Sequence, residues 1–276
     1  MSTLPGNNQL FSDQGQELTS LRGINELATA EKERIYASII PSRLFELLDI
    51  SPATLSGPDG LRRVSIIAPQ GMGLARIEVK RHPHDPSTVF FLDITDTHYR
   101  QMELSFCVIS DPSSERFAVD VDSFGKDNCF TSLGRNIPEE IRAMQAGLYP
   151  NQATRGLRMF GEFFTLFERF VDSLAMDMIV AEPLTYDNAI RYEKYGFDYL
   201  NGRRLMEQID REFTPDGSLT ARLDGSTPFR MPDMGASVHG RSWAIHDGIM
   251  DEPWEDVRIY RLVGVDAGVN TFTARS

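Results

Sequence analysis

The sequence predicts an α+β fold in which a mixed, largely antiparallel central sheet is flanked by helices. Three observations support this class. Strand-like segments follow one another between residues 60 and 124, and an amphipathic helical stripe covers 157–174. A short apolar strand at 178–181 and a further helix at 187–195 then complete the core. The predicted order is therefore two helices, four strands, a helix, a strand, a helix and further strands.

The first part of the chain predicts an arm and two helices. Residues 1–16 are polar and rich in Gly, Asn and Gln, which indicates a flexible N-terminal arm. A helix is predicted from Thr29 in TAEKERIYASII, where isoleucines recur at helical spacing, and PSRLFELLDI predicts a second, short helix. We expect a single domain over 17–276, with its core at 60–200 and a C-terminal extension at 201–276.

Strand signals come next. RRVSIIAPQGMGLARIEVKR holds two β-rich pieces around a Pro-Gln-Gly interruption, and TVFFLDITD and YRQMELSFCVIS alternate as antiparallel partners do. RFAVDVDSF at 116–124 predicts a further strand, with Phe117, Val119 and Val121 on one face and two aspartates on the other.

The helices that follow are marked by the spacing of their apolar residues. IPEEIRAMQAG predicts a helix with Pro138 at its start, and the next helix carries a stripe at i, i+3, i+4 and i+7. That stripe consists of Leu157, Phe160, Phe163, Phe164, Phe167, Phe170, Val171 and Leu174. Gly196 follows the helix at 187–195, where a left-handed residue closes a helix.

The extension has three predicted parts. RRLMEQIDREF predicts an extra helix, and 214–240 is a long connection rich in Pro, Gly and Ser. SWAIHDGIM and VRIYRLVGV predict two closing strands. A connection of this length is usually functional or mobile.

Composition excludes some classes of partner. The 276 residues include 28 basic and 40 acidic side chains, and the net charge of −12 opposes binding to nucleic-acid phosphates or to anionic lipid. No apolar run reaches the roughly 18 residues that a membrane helix needs. The N-terminus lacks the pattern of a secretory signal, and two cysteines allow at most one disulfide. We therefore expect a cytoplasmic protein.

The text TYDNAIRYEKYGFDYL at 185–200 resembles the fourth helix and following turn of the GCN5-related N-acyltransferases. The usual sequence pattern of that family at this place is an Asn, a small residue and then Tyr-Glu-Lys-x-Gly-Phe. The amphipathic helix and apolar strand upstream agree, so the resemblance covers about 116–200, and strand order extends it to residue 60. It implies that the N-terminus of the 157–174 helix holds the cofactor pyrophosphate. It also implies that the 178–181 strand splays from its neighbour to admit the pantetheine arm.

One loop departs from the family's pattern of Gln or Arg, two residues, Gly, one residue, and Gly or Ala. Here the text is NQATRGLRMFGEF, and no register fits fully. The two registers begin at Gln152, which puts Arg155 in place of the first glycine, and at Arg158, which recovers Gly161. These arginines bind phosphate through charge, or they are solvated residues at a helix start. The resemblance implies a cofactor site formed by Val121, Arg155, Gly156, Arg158, Gly161, Asn188 and Tyr195. An insertion at Ser123–Asn151 stands where the family has a short turn.

The resemblance also implies the chemistry of the reaction. Acyl transfer to an amine needs a base for the amine proton and an acid for the departing thiolate. The position that matches the family's acid is Tyr192, with Tyr195 as the near alternative. The candidate bases are carboxylates at predicted strand ends, Glu182, Asp122 and Asp120, with Glu103 as a further candidate. Alternatively, these residues have structural roles only: the tyrosine is an aromatic residue of the core, and the carboxylates are ordinary acidic residues at strand ends.

The expected function is N-acyl transfer from an acyl thioester to a small-molecule amine. The donor is acetyl-CoA or another acyl-CoA, or acyl-phosphopantetheine on an acyl carrier protein, which carries one phosphate and relaxes the need for the missing glycines. A long-chain N-acyl amino acid or acyl-homoserine-lactone type of synthase is one alternative. A degenerate member of the fold that binds a ligand or partner without catalysis is another. Histidine spacings match no common zinc pattern, so no metal is expected, and a homodimer is allowed.

Overall fold

The computed structural model describes residues 9–97, 99–131 and 133–273. Their contacts form two units. The first holds residues up to Pro112, Gly156–Ala181 and Arg261–Val265, and the second holds Ser113–Arg155, Glu182–Tyr260 and the residues from Asp266 on. Of the predicted N-terminal arm, residues 1–8 lie outside the described residues, and Leu10 donates its N–H to the carbonyl of Ser173. The single domain predicted over 17–276 stays a prediction.

The described residues contain nine α-helices and seven strands. The helices are α1 (Leu21–Asn25), α2 (Thr29–Ala37), α3 (Ser42–Leu47), α4 (Ile137–Gln145), α5 (Phe160–Ser173), α6 (Tyr186–Glu193), α7 (Arg203–Glu212), α8 (Ser218–Ala221) and α9 (Val238–His246). The strands are β1 (Val64–Ile67), β2 (Leu74–Val79), β3 (Phe90–Asp96), β4 (Gln101–Ile109), β5 (Met178–Ala181), β6 (Asp198–Asn201) and β7 (Arg258–Leu262). The strands are mostly antiparallel, which confirms the predicted α+β class.

The first unit is a sheet covered by α5. Strands β1 to β4 pair in sequence order and antiparallel, and β5 then joins β4 in parallel. The buried face of β3 carries Phe90, Leu92 and Ile94, each with at most 1% of its surface exposed. Helix α5 packs on the sheet through its phenylalanines, and the Phe90 and Phe163 ring centroids are 5.7 Å apart. The 3.6-residue spacing of these rings is therefore what orients α5 on the sheet.

The second unit is mainly helical. Helix α6 packs against α9, and β6 pairs antiparallel with the first residues of β7. An apolar cluster forms part of its core, and its members are Phe117, Val119, Ala143, Leu148, Phe229 and Trp243. Two of these residues, Ala143 and Leu148, come from the insertion at Ser123–Asn151. The insertion is thus an integral part of this core, since α4 buries its apolar face in the cluster.

Two predicted strands are wrong, and one strand was not predicted. Residues 116–124 form loop and turn, because Phe117 and Val119 pack into the cluster and not along a neighbouring strand. The segment SWAIHDGIM lies mostly in α9, which is buried around its whole circumference from Gly240 to Ile245. Strand β6 follows Gly196, where only a turn was expected.

No helix among the described residues is long and apolar enough to cross a membrane.

Candidate functional site

Strands β4 and β5 pair in parallel over a short stretch. The registered pairs are Gln101 with Met178, Met102 with Ile179, and Glu103 with Val180. Strand β4 continues to Ile109, while β5 ends at Ala181. Ser105 is an extra residue in β4, because the register with β3 passes from Leu104 directly to Phe106. Such bulges bend a strand and are over-represented next to active sites.

Helix α5 begins close to the far end of β4. Ser110 forms a β-bridge with Gly156, and a Cβ at Gly156 would lie 3.2 Å from the carbonyl oxygen of Ile109. That distance is tighter than side chains normally accept, so a glycine lets the two backbones approach. The segment that leads into α5 therefore lies beside the end of β4 within the first unit.

The start of α5 has the features of an anion site. Arg158 is exposed and has a φ of 56°, a left-handed conformation that costs a non-glycine residue free energy and is common at functional sites. Met159 caps the helix without a side-chain hydrogen bond, so the N–H groups of the first turn have no side-chain acceptor at the cap. Gly161 lies in this first turn. These residues fit a phosphate group, which helix N-termini favour through their N–H donors and dipole.

One carboxylate argues against a phosphate site at the start of α5. Glu162 also lies in the first turn of α5, where it accepts hydrogen bonds from the Ser42 hydroxyl at 3.0 Å and from the backbone N–H of Arg43 at 3.4 Å. Its negative charge interacts favourably with the same helix dipole. A phosphate at this helix would therefore share the positive end of α5 with an existing anion.

Apart from Glu103, the remaining predicted residues belong to the second unit. Arg155 donates its backbone N–H to the Ser114 hydroxyl and its guanidinium to the Ala146 carbonyl, at 3.2 and 3.3 Å. Asn188 lies on α6 and is partly buried. Tyr192 also lies on α6, and its ring packs edge-on against Phe197 with centroids 5.0 Å apart. Tyr195 lies in the turn that follows α6. The structure thus brings the predicted acid, its alternative and Asn188 together on one helix and its C-terminal turn.

The predicted bases have different surroundings. Glu182 follows β5 directly, is exposed, and accepts two hydrogen bonds from the Arg258 guanidinium at 2.5 and 2.8 Å. Asp120 is exposed and pairs with Arg116. Asp122 accepts the backbone N–H groups of Phe124 and Lys126, so it caps a turn.

The predicted position of Asp120, Val121 and Asp122 at the end of a central strand is therefore wrong. Val121 makes an isolated bridge with Asp127 inside a loop, because the Asp122 side chain turns the chain back on itself. The strand that pairs in parallel with β5 is β4. Its residues after the bulge, Phe106 to Ile109, occupy the place that the sequence reading gave to 116–122. Glu103, the further candidate base, lies on β4 within the parallel pair.

Two buried carboxyl groups of α6 were missed by the sequence reading. Asp187 is 4% exposed, accepts a hydrogen bond from the Thr185 hydroxyl at 2.8 Å, and lies 3.8 Å from the Arg191 guanidinium. Burial raises the pKa of this carboxyl above its ordinary value. Glu193 is 5% exposed and accepts hydrogen bonds from Tyr199 and Thr271. The sequence does not predict that either carboxyl is buried, because burial depends on contacts with distant segments, such as that of Glu193 with Thr271.

A buried ionic network was missed as well. The Arg135 guanidinium reaches Glu140 at 2.5 Å and Asp247 at 3.0 Å, and Arg230 reaches Asp247 at 2.9 Å. Burial raises the pKa of Glu140, but hydrogen bonds from His246 and Arg135 lower it more, so the pKa lies below its ordinary value. This network joins the insertion to α9. Among the described residues, no group of three or more metal-ligating side chains could hold a metal ion.

Comparison with known protein families, curated proteins and solved structures finds no match to this chain.

Proposed function

We propose that this chain is an N-acyltransferase that moves an acyl group from a thioester to an amine. The observation that carries the proposal is the short parallel pair of β4 and β5, with Gly156, in the segment that leads into α5, bridged to Ser110 just after β4. In the acyltransferases that the 185–200 segment resembles, a strand at this place splays from its neighbour to admit the pantetheine arm. The helix between the two strands binds the phosphates of the donor there. The order β4, α4, α5, β5, α6, in which α4 belongs to the insertion at Ser123–Asn151, supports the same assignment of roles here.

The proposed reaction needs one base and one acid. The amine nitrogen bonds to the thioester carbonyl carbon and loses a proton, and the carbon–sulfur bond breaks to leave a thiolate that takes a proton. We propose Tyr192 as the acid for the thiolate, with Tyr195 as the alternative. Glu182, directly after β5, is the proposed base, acting on the amine directly or through water. Asp120 and Asp122 are not proposed as the base, because they lie in a turn and not at the end of a strand.

The proposed donor is bound by charge at the start of α5. Arg158 and backbone N–H groups at the start of α5 supply the proposed phosphate contacts, and the close approach at Gly156 keeps the preceding segment beside the end of β4. Coenzyme A and an acyl carrier protein both present phosphate on a pantetheine arm. Glu162 in the same turn favours the donor with fewer phosphates, because each added negative charge is repelled.

Thermal unfolding with donor compounds tests this binding. We expect acetyl-CoA or a long-chain acyl-CoA to raise the melting temperature, since a ligand at 100 times its Kd adds about 2.7 kcal/mol of stability. Arg158→Glu should weaken binding by roughly tenfold or more, because it replaces a phosphate partner with a like charge. The matched control is Arg169→Glu, which reverses an exposed charge farther along α5 and should leave affinity unchanged.

The outcomes separate the donors. No shift with any coenzyme A compound, together with a shift produced by an acyl-phosphopantetheine carrier protein, would exclude coenzyme A and retain the acyltransferase proposal. No shift with either donor, or equal losses in the two arginine variants, would overturn the proposed donor site.

Tyr192→Phe tests the proposed acid. We expect turnover to fall by about 10² or more at neutral pH with donor affinity nearly unchanged, since general acid catalysis contributes roughly 10²–10⁴. The control is Tyr195→Phe, which removes the hydroxyl of the alternative acid. Unchanged turnover in Tyr192→Phe and a large loss in Tyr195→Phe would reassign the role.

Glu162 also favours a second candidate function, the binding of a ligand or partner without transfer. A carboxylate already satisfied at the start of α5 weakens a phosphate site, as expected for a member of the fold that has lost catalysis. Donor binding without any release of free thiol, across a panel of amines, would support this candidate over the enzyme. We further propose a cytoplasmic location, because Cys107 and Cys129 do not form a disulfide with each other.

A further inference from the structure

Glu193 is a buried carboxylate held by hydrogen-bond donors alone. Oε1 accepts the Tyr199 hydroxyl at 2.6 Å and the Thr271 hydroxyl at 2.5 Å, and Oε2 accepts the backbone N–H of Thr271 at 2.9 Å. No cation among the described residues forms an ion pair with it. Burial, followed by the charge of Glu193, raises the pKa of Tyr199. A buried carboxylate without a cation depends on its hydrogen bonds, and two of these three come from one residue near the C-terminal end of the described chain.

The C-terminal segment, residues 266–273, is attached at its far end. Thr271 is the only buried residue among the described residues from 264 onward. Phe272 lies against the buried Arg241 guanidinium, 4.7 Å from the ring centroid. Thr273 donates its N–H to Asp210, the ion-pair partner of Arg241, at 3.2 Å. Three consecutive residues thus make the anchor, while most of the residues before them are exposed.

The anchor lies at the turn after α6. Glu193 stands between Tyr192 and Tyr195 in the chain, and Gly196 accepts the backbone N–H of Ala267 at 3.2 Å. The C-terminal segment therefore bonds to this turn at two points, one at the last residue of α6 and one at Gly196. No other segment of the described chain supplies Glu193 with a backbone donor.

We propose that residues 266–273 form a releasable latch that fixes the turn after α6. The latch has no regular secondary structure and one buried side chain, so its opening breaks few contacts and exposes little apolar surface. Once it opens, Glu193 keeps only the Tyr199 donor, and the buried carboxylate must move toward water. The turn that carries Tyr195, and the end of the helix that carries Tyr192, then lose their fixed position. This inference concerns contacts within the second unit and does not depend on the reaction that the chain catalyses.

Hydrogen exchange of the full chain, followed by mass spectrometry, tests the latch. In the wild type, 266–273 should exchange faster than Gly240–Ile245, the buried part of α9 in the same unit. Thr271→Val keeps the side-chain shape and removes the hydroxyl donor. We expect it to speed exchange in both 266–273 and 193–197 by roughly tenfold, the equivalent of one lost hydrogen bond, with α9 unchanged. The control is Thr220→Val, because the Thr220 hydroxyl is buried without a hydrogen-bond partner among the described residues.

Two results would overturn the proposal. Exchange of 266–273 at the rate of α9 in the wild type would make the segment an inseparable part of the core. Faster exchange of 266–273 in Thr271→Val without any change at 193–197 would show that the segment does not hold the turn. The wild-type comparison decides the first point even where a variant fails to fold. For the second, Phe272→Leu weakens the same anchor through its contact with Arg241.

Discussion

Replacing Asp187 by asparagine should stabilise the protein at neutral pH. The carboxyl is 4% exposed, and burial raises its pKa. The Thr185 hydroxyl donates a hydrogen bond to it at 2.8 Å, and the Arg191 guanidinium at 3.8 Å is too distant for a hydrogen bond. The charged form is therefore buried with little compensation. An asparagine has the same shape and can still accept the Thr185 hydroxyl through its oxygen.

The size of the effect follows from the cost of the buried charge. Each pKa unit between the folded and unfolded states corresponds to about 1.4 kcal/mol, and one added hydrogen bond to about 1 kcal/mol. The new amide can donate to the buried Ser242 hydroxyl, which lies close enough to the carboxyl to lower its pKa. We expect a gain of about 1–2 kcal/mol at pH 7, or a rise in melting temperature of roughly 2–8 °C.

The raised pKa of Asp187 also determines how the stability of the protein changes with pH. Because the folded pKa lies above the unfolded value of about 4, the ionised form is less favourable in the folded state. The contribution of Asp187 to the free energy of unfolding is then highest below pH 4, and it declines as the pH rises to the folded pKa. Urea unfolding of the wild type and of Asp187→Asn across pH 4–8 measures this difference.

Two outcomes would refute the reasoning. Asp187→Asn could be less stable than the wild type at pH 7, or the stability difference could be constant over that range. Asp187→Ala is the matched control, because it removes the charge and also the acceptor of the Thr185 hydroxyl. It should gain less than the asparagine variant or lose stability.

Three further substitutions test the packing and the network. Glu140→Ala should cost about 1–3 kcal/mol in urea unfolding, because it removes a buried, hydrogen-bonded carboxylate and leaves the partly buried Arg135 with Asp247 alone, and a loss below about 0.5 kcal/mol would contradict this. Phe167→Ala on α5 should cost about 3–5 kcal/mol, since the ring is fully buried, and a smaller loss would mean that the cavity collapses. Gly156→Ala should cost about 1 kcal/mol and weaken donor binding, because the new methyl group lies 3.2 Å from the Ile109 carbonyl, and an unchanged affinity would separate this contact from the site.

The elements that the sequence predicted correctly have a visible period or terminator. Helix α5 carries its phenylalanines on one face, and β5 is a short apolar run whose predicted bounds match the structure. Gly196 ends the α6 segment with a φ of 74°, as expected of a left-handed residue that closes a helix. Local spacing is enough to predict such elements, because a half-buried helix repeats its apolar residues every three to four positions.

The elements that were missed depend on contacts between distant residues. Helix α9 is buried on all sides, so it shows no amphipathic period, and Trp243 and Ile245 were read as strand residues. The alternating residues of 116–124 were read as a strand, but alternation cannot show that Phe117 and Val119 pack against α9 and the insertion. The ion pair of Arg135 with Asp247 joins residues 112 positions apart, which no local pattern reports.

Hydrogen exchange with and without a pantetheine thioester tests the proposed donor site most directly. At saturating acetyl-CoA, protection should increase in Leu104–Ile109 of β4 and at 156–162, where the arm and its phosphates are proposed to bind. Residues 74–79 in β2 of the same unit should be unchanged, and Arg158→Glu should remove the protection at equal ligand concentration. Protection confined to other segments, or equal protection in the wild type and in Arg158→Glu, would contradict the proposal that the donor binds where β4 continues beyond the end of β5.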